Sequence, residues 1–151
     1  MNGEPTTTDD RRAVDVSLLL VRLIVGVIFA AHGAQKLFGA FGGMGLEPLV
    51  NTLGPVGYLV AIGEFFGGLG IAVGFLSRFS AAANIVIMLG AIGMVHGKNG
   101  LFLQNQGFEY NLALIGLLVP VLLVGPGRYA IGRFLPLPRS SRTGRPVLPL
   151  E

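Results

Sequence analysis

A single carboxylate, Glu64, lies inside an otherwise uncharged apolar run, residues 56–76, that is long enough to cross a bilayer as an α-helix. An ionised carboxylate in hydrocarbon is strongly unfavourable unless it is paired or neutralised. His32, Gln35 and Lys36 lie at the end of a second apolar run, where they are candidate partners. An ionisable residue within a membrane span is by default a candidate functional site. The sequence therefore predicts a membrane protein with a polar site inside the bilayer.

Four apolar runs organise the chain, at residues 16–38, 56–76, 79–95 and 109–124. Only 13% of the 151 residues are charged, against about 25% in soluble domains. The first two runs reach the roughly 20 residues of a spanning helix, and the last two are shorter. The sequence predicts an all-α fold, an integral membrane four-helix bundle over residues 16–135. Residues 1–15 are predicted to be a disordered tail and residues 136–151 a basic tail, while residues 39–55 form either a lid or a spacer.

The distribution of Lys and Arg predicts the orientation of the bundle. One side of the predicted membrane receives only Lys36 and Lys98. The other side receives eight arginines: Arg11, Arg12, Arg78, Arg128, Arg133, Arg139, Arg142 and Arg145. This bias predicts that both termini are cytoplasmic. The net charge of +3 then reflects topology and contact with membrane lipids, and no nucleic-acid binding is predicted.

Several kinds of chemistry lack the residues they need. The chain has no Cys, which excludes disulfides, thiolate metal sites and thiol redox chemistry. His32, Glu64, His96 and Glu109 are of the types that bind metals, but no two of them are spaced at i,i+3 or i,i+4, and no metal site is predicted. No motif for haem, flavin or a phosphate-binding loop is recognised.

Helical depth brings the polar residues of the first two spans to similar heights. His32 lies roughly 9 Å and Glu64 roughly 12 Å from the same membrane surface, at about 1.5 Å per residue. Gln35 and Lys36 share the helix face of His32. His96 and Glu109 bracket the loop between the third and fourth spans on that side, although each also suits a role at its helix end. Glu64 serves either a ligand or proton site, or a structural ion pair that fixes helix register.

The other half of the membrane contains a second polar set. Arg22 in the first span and Asn84 in the third lie at similar depth. They form either an inner polar pair, or Arg22 extends to the cytoplasmic headgroups along its own flexible stem.

Ordered motifs between about residues 18 and 133 resemble those of the DoxX family of small four-helix bacterial membrane proteins. The matching elements are Arg22, His32-Gly33 with Lys36-Leu37, Gly63-Glu64-Phe65-Phe66-Gly67-Gly68-Leu69, Gly74-Phe75-Leu76-Ser77-Arg78, Glu109-Tyr110-Asn111-Leu112-Ala113-Leu114 and Gly125-Pro126-Gly127-Arg128-Tyr129. The resemblance implies a multi-pass protein of the bacterial cytoplasmic (inner) membrane.

The resemblance also implies a function, because DoxX-like proteins are associated with quinone-linked oxidation and with membrane oxidoreductase complexes. We therefore expect a quinone-interacting subunit that assembles as a homo-oligomer or with a membrane partner, and that works with a soluble redox enzyme. In this interpretation Glu64 and His32 are catalytic, with Glu64 exchanging protons, and Lys36 and Tyr110 donate hydrogen bonds. Gln35, His96 and Glu109 complete the predicted ligand site. The alternatives are a small proton-coupled transporter or channel, and a non-catalytic scaffold.

Overall fold

The computed structural model describes residues 8–134, which form helices and connecting turns without any β-strand. The α-helices are α1 (Thr8–Phe38), α2 (Leu46–Leu53), α3 (Val56–Val73), α4 (Ser77–Ala91) and α5 (Glu109–Val124). A π-helical turn, Ile92–His96, continues α4. The predicted all-α membrane fold is confirmed, because three helical segments, Thr8–Phe38, Val56–Val73 and Ser77–Asn99, are long and apolar enough to span a bilayer. With 16 residues, α5 is shorter, and its crossing of the membrane, like the location of both termini, stays a prediction.

Helices α1 and α3 are antiparallel and pack with their backbones in contact. A Cβ atom built on Gly26 would lie 2.7 Å from the carbonyl oxygen of Gly68, and one on Gly33 would lie 2.5 Å from Phe65 Cα. Both distances are far below a van der Waals contact, so each crossing point requires glycine. Small residues permit this approach between membrane helices, where close packing replaces the hydrophobic effect as the main driving force.

Helices α4 and α5 complete a ring of four antiparallel helices. Gly63 and Gly67 on α3 face Ile87 and Asn84 on α4. The Arg78 guanidinium at the start of α4 donates to the carbonyls of Leu123 and Val124 at 3.0 and 3.1 Å, which satisfies the end of α5. The centre of the ring is apolar, with eight buried side chains in one cluster: Val25, Phe29, Ile71, Ala81, Met88, Leu114, Leu118 and Val121.

Two of the helix boundaries differ clearly from the bounds of the predicted segments. Helix α1 begins at Thr8, although residues 1–15 were expected to be disordered. No glycine or proline interrupts residues 8–15, and Asp9 and Asp10 in the first turn interact favourably with the helix dipole. Helix α3 ends at Val73, three residues before the predicted end. Gly74 caps it with a left-handed φ of 80°, and the Phe75 amide donates back to the Gly70 carbonyl at 2.8 Å. Residues 1–7 and the predicted basic tail at 136–151 lie outside the described residues.

The chain after α5 folds back across the end of the bundle. We call residues 125–134 the C-terminal strap. The Gly132 amide donates to the Gly74 carbonyl at 3.2 Å, and the Arg128 amide donates to Asp15 Oδ1 at 2.8 Å. The strap therefore ties the start of α1 to the turn between α3 and α4, at the end of the bundle opposite to His32.

Candidate functional site

A cavity of about 240 Å³ lies between α1, α3, α4 and α5, in the half of the bundle that contains Glu64. Every long helix contributes to it, and the loop between α4 and α5 covers one side. The polar lining residues are His32, Lys36, Glu64, His96, Tyr110 and Asn111. The remaining lining residues are Phe29, Met88, Ala91, Leu103, Gly107 and Leu114. A largely apolar cavity with a few convergent polar groups is the usual form of a small-molecule site.

The charged pair of the cavity joins α1 to α3. The Lys36 ammonium group donates to Glu64 Oε2 in a salt bridge. The Glu64 side chain is 1% exposed, whereas that of Lys36 is 31% exposed. The pair therefore has a buried acidic end inside the bundle and a partly exposed basic end.

A second polar contact joins α1 to α5. His32 Nε2 and the Tyr110 hydroxyl are 3.2 Å apart, and their rings meet edge to face with centroids at 5.9 Å. The neighbouring Asn111 is buried, and its Nδ2 donates to Met88 Sδ at 3.4 Å. A thioether is a weak acceptor, so this amide can exchange its partner for a stronger one. The cavity wall thus offers a phenol, an imidazole and an amide beside the ion pair.

His96 is held in the cavity wall by the loop that follows it. Its Nδ1 lies 2.8 Å from the Gln106 carbonyl oxygen. A carbonyl oxygen only accepts, so Nδ1 is the donor in this contact. The Gln106 backbone is in the left-handed region, with φ of 61°, where a non-glycine residue is strained. A π-helical turn and a strained residue are both more frequent at functional sites than elsewhere.

The structure places the predicted residues as follows. Glu64, His32, Lys36, His96 and Tyr110 line the cavity together. Glu109 does not line it, because its Oε1 accepts the Leu103 amide at 2.6 Å and fixes the loop. Gln35 is also outside the lining, and its backbone carbonyl accepts the Gly39 and Gly45 amides. No residue of the segment 39–55, the predicted lid or spacer, lines the cavity.

Asn111, Phe29 and Met88 belong to the cavity but were not predicted as site residues. Asn111 gave the clearest signal in the sequence, since it is an amide within an apolar span and follows Tyr110 directly. Apolar lining residues such as Phe29 and Met88 have no such signal, because they resemble any other core residue of a membrane helix.

The predicted inner pair of Arg22 and Asn84 is not joined by a hydrogen bond. The Asn84 amide donates to the carbonyls of Ser80 at 2.9 Å and Gly63 at 3.4 Å, and its Oδ1 has no partner among residues 8–134. Arg22 donates through Nη2 to the Tyr129 carbonyl of the strap. Arg22 does not extend to the headgroups, as the alternative expected, because the residue is 0% exposed. Its Nε and Nη1 have no hydrogen-bond partner in the part of the chain that the structure describes.

Among the described residues, no three His, Asp or Glu side chains come close enough to hold a metal ion. Benzene fits a cavity of about 150 Å³, so the present volume is sufficient for a substituted six-membered ring but not for a long side chain.

The fold and the site together define a helical multi-pass membrane protein with a buried acid–base cavity. The family model described as DoxX matches residues 17–97, and the chain belongs to this family. It is 29% identical over 128 residues to "Inner membrane protein YqjF" of Escherichia coli, covering 83% of this chain and 96% of the relative. It is 29% identical over 112 residues to "Putative oxidoreductase CatD" of Bacillus subtilis, covering 70% of this chain and 78% of the relative.

A third relative is "Uncharacterized membrane protein Rv3486" of Mycobacterium tuberculosis, with 28% identity over 136 residues that cover 79% of this chain and 81% of the relative. No solved structure matches the chain significantly. The apolar helices and the inner membrane relative confirm the predicted localisation, a multi-pass protein of the cytoplasmic membrane.

Proposed function

We propose that this protein is a quinone-interacting subunit of a membrane oxidoreductase system, and that the cavity around Glu64 holds the quinone ring. The observation that carries the proposal is the joint presence of two polar pairs, Lys36–Glu64 and His32–Tyr110, in the wall of one otherwise apolar cavity. The name of the Bacillus subtilis relative, which refers to an oxidoreductase, supports the same class of function.

The cavity fits a quinone in size and in donors. A ring of this type has two carbonyl oxygens, which are acceptors when oxidised and become hydroxyl groups when reduced. Lys36, Tyr110 and Asn111 supply donors for the oxidised form. The volume of about 240 Å³ holds the ring alone, so a lipid-soluble tail must leave between the helices into the bilayer.

Proton exchange is the chemistry that this chain's own residues can supply. Reduction of a quinone consumes two electrons and two protons, and oxidation of the quinol releases them. Glu64 can accept or return one proton beside Lys36, and the His32–Tyr110 pair can do the same for the other. The described residues include no redox-active thiol, so we assign the electrons to a soluble redox enzyme or a membrane partner.

Direct binding tests this proposal. Wild-type protein in lipid nanodiscs is titrated with decyl-ubiquinone and with menadione by calorimetry, beside the Glu64→Gln and His32→Ala variants. We expect both variants to bind at least about tenfold more weakly, because Glu64 and His32 are the partners that position the donors Lys36 and Tyr110. Glu47→Gln, which changes an exposed acid on α2, is the matched control. Equal affinity of both site variants and the wild type, with folding intact, would reject the proposal.

Transport is the second candidate function, because buried polar atoms without a partner lie beyond the cavity. They are Asn84 Oδ1, Ser77 Oγ, and Nε and Nη1 of Arg22. Such atoms mark a polar path from the Glu64 side toward the strap. The path ends at a fixed positive charge, which is a barrier to protons in narrow pores, so we rank transport below quinone binding. A proton flux into liposomes that contain the wild type, absent from liposomes without protein, would reverse this ranking.

A further inference from the structure

Two adjoining cavities lie at the end of the bundle opposite to the Glu64 cavity, between the first three turns of α1 and the C-terminal strap. One, of about 510 Å³, is lined by Thr8, Arg11, Arg12, Asp15, Arg128 and Tyr129. The other, of about 560 Å³, shares Asp15 and Arg128 with it and adds mainly apolar residues. The two cavities meet at Asp15 and Arg128, and we call them together the strap groove.

The chemical character of the strap groove changes along its length. Its outer end carries three arginines, Arg11, Arg12 and Arg128. Its inner end is lined by the apolar side chains of Val14, Leu18, Val124 and Pro126. Asp15 is the one carboxylate among the described lining residues of both cavities, and its Oδ1 accepts the Arg128 amide of the strap. The groove is therefore basic at one end and apolar at the other.

Helix geometry strengthens the positive character of the groove. Arg11, Asp15, Leu18 and Arg22 follow each other at intervals of three or four residues and so lie along one face of α1. Asp10 lines a neighbouring cavity together with Arg11, Val14 and Asp15. Arg22, one turn below Leu18, is fully buried and forms no salt bridge within the described residues. A fixed positive charge thus lies beneath the apolar end.

The depth of the groove matches the boundary between lipid headgroups and acyl chains. The apolar run of α1 begins at residue 16, so Arg11 and Arg12 lie about 6–8 Å outside the hydrocarbon at 1.5 Å per residue. The headgroup layer on each side of a bilayer is about 5–8 Å thick. Leu18 lies on the hydrocarbon side of the same boundary.

We propose that the strap groove binds one anionic phospholipid. The phosphate lies against Arg11, Arg12 and Arg128, and one acyl chain lies along Val14, Leu18 and Val124. Basic pockets between membrane helices recognise anionic headgroups in this way, and the apolar end distinguishes a lipid from a free phosphate ion. This site is separate from the Glu64 cavity and does not depend on quinone binding.

Native mass spectrometry of the full chain tests the proposal. The protein is released from detergent micelles that contain equal amounts of phosphatidylglycerol and phosphatidylcholine. We expect the wild type to retain one phosphatidylglycerol, and the Arg12→Gln/Arg128→Gln double variant to bind it about 10- to 30-fold more weakly. Lys98→Gln, which removes an exposed positive charge at the other end of the bundle, should bind as the wild type does.

Two further measurements separate a lipid site from simpler explanations. Val14 is half exposed on α1, so Val14→Asn should leave the fold intact yet weaken retention of the lipid. Inorganic phosphate at millimolar concentration should not displace the lipid. Equal retention of both lipids by the wild type, no effect of Arg12→Gln alone or with Arg128→Gln, or displacement by phosphate would each overturn the proposal.

Discussion

Removal of Lys36 should destabilise the protein more than removal of the charge on Glu64, although the two residues form one salt bridge. In Lys36→Met the carboxylate of Glu64, 1% exposed, remains in the bundle without a cation. Loss of one partner from a buried pair typically costs about 3–5 kcal/mol. In Glu64→Gln the remaining charge is that of Lys36, which is 31% exposed and keeps contact with the outside, so we expect a loss of about 1 kcal/mol.

The double variant Lys36→Met/Glu64→Gln completes a thermodynamic cycle. It removes both charges of the pair, and we expect it to recover most of the stability that Lys36→Met loses. The coupling free energy should then be about 2–4 kcal/mol. Reversible unfolding in mixed micelles, followed by far-UV circular dichroism at increasing SDS, gives the free energies of unfolding.

The difference in burial between Lys36 and Glu64 also determines the controls and the result that would refute the prediction. Lys98→Met and Glu47→Gln change exposed charges outside the cavity and should alter stability by less than about 0.5 kcal/mol. Equal losses in Lys36→Met and Glu64→Gln, or strictly additive effects in the double variant, would show that burial of Glu64 does not determine the energetics of the pair.

Three further substitutions, one of them paired with a control, test the packing of the helices and the loop between α4 and α5. Gly33→Ala should lower the free energy of unfolding by at least about 2 kcal/mol, because the new Cβ would overlap the Phe65 backbone. Gly116→Ala, where nothing lies within 4 Å, should be neutral or slightly stabilising in the same measurement. Arg78→Gln should lose about 1–2 kcal/mol with its two carbonyl contacts, and faster hydrogen exchange at the end of α5 would accompany it. Gln106→Gly should raise the free energy of unfolding by about 1 kcal/mol, because its φ of 61° suits glycine. A lower melting temperature would contradict this prediction.

The contact between α1 and α3 could be predicted because it depends on depth and periodicity alone. The two spans are antiparallel and place His32, Lys36 and Glu64 at similar heights in the membrane. Few basic side chains other than His32 and Lys36 can therefore pair with the Glu64 carboxylate. His96 and Tyr110 were predictable to a lesser degree, since they lie at helix ends that face the same side of the membrane.

The partners of Arg22 and Glu109 could not be predicted in the same way. Both side chains bond to backbone groups, Arg22 to the Tyr129 carbonyl and Glu109 to the Leu103 amide. Every residue carries a backbone carbonyl, and every residue except proline carries a backbone amide N–H. The sequence therefore does not show which carbonyl or amide a given side chain will bind. The path of the strap, which brings Tyr129 over Arg22, follows from Gly125 and Gly127 with positive φ, and the number of glycines in the chain hides that signal.

The backbone contact of α1 with α3 divides the cavity into a fixed wall and an adjustable wall. Gly26, Gly33 and Gly68 leave no space for one of these helices to slide or rotate on the other. The acid and its ammonium partner belong to the fixed wall, whereas His96, Tyr110 and Asn111 belong to α4, α5 and the segment that joins them. If a ligand binds in the cavity, we therefore expect any adjustment in α4, α5 and the segment that joins them, while Lys36 and Glu64 keep their positions. We expect that relatives of this architecture that bind different ligands differ mainly in the adjustable wall.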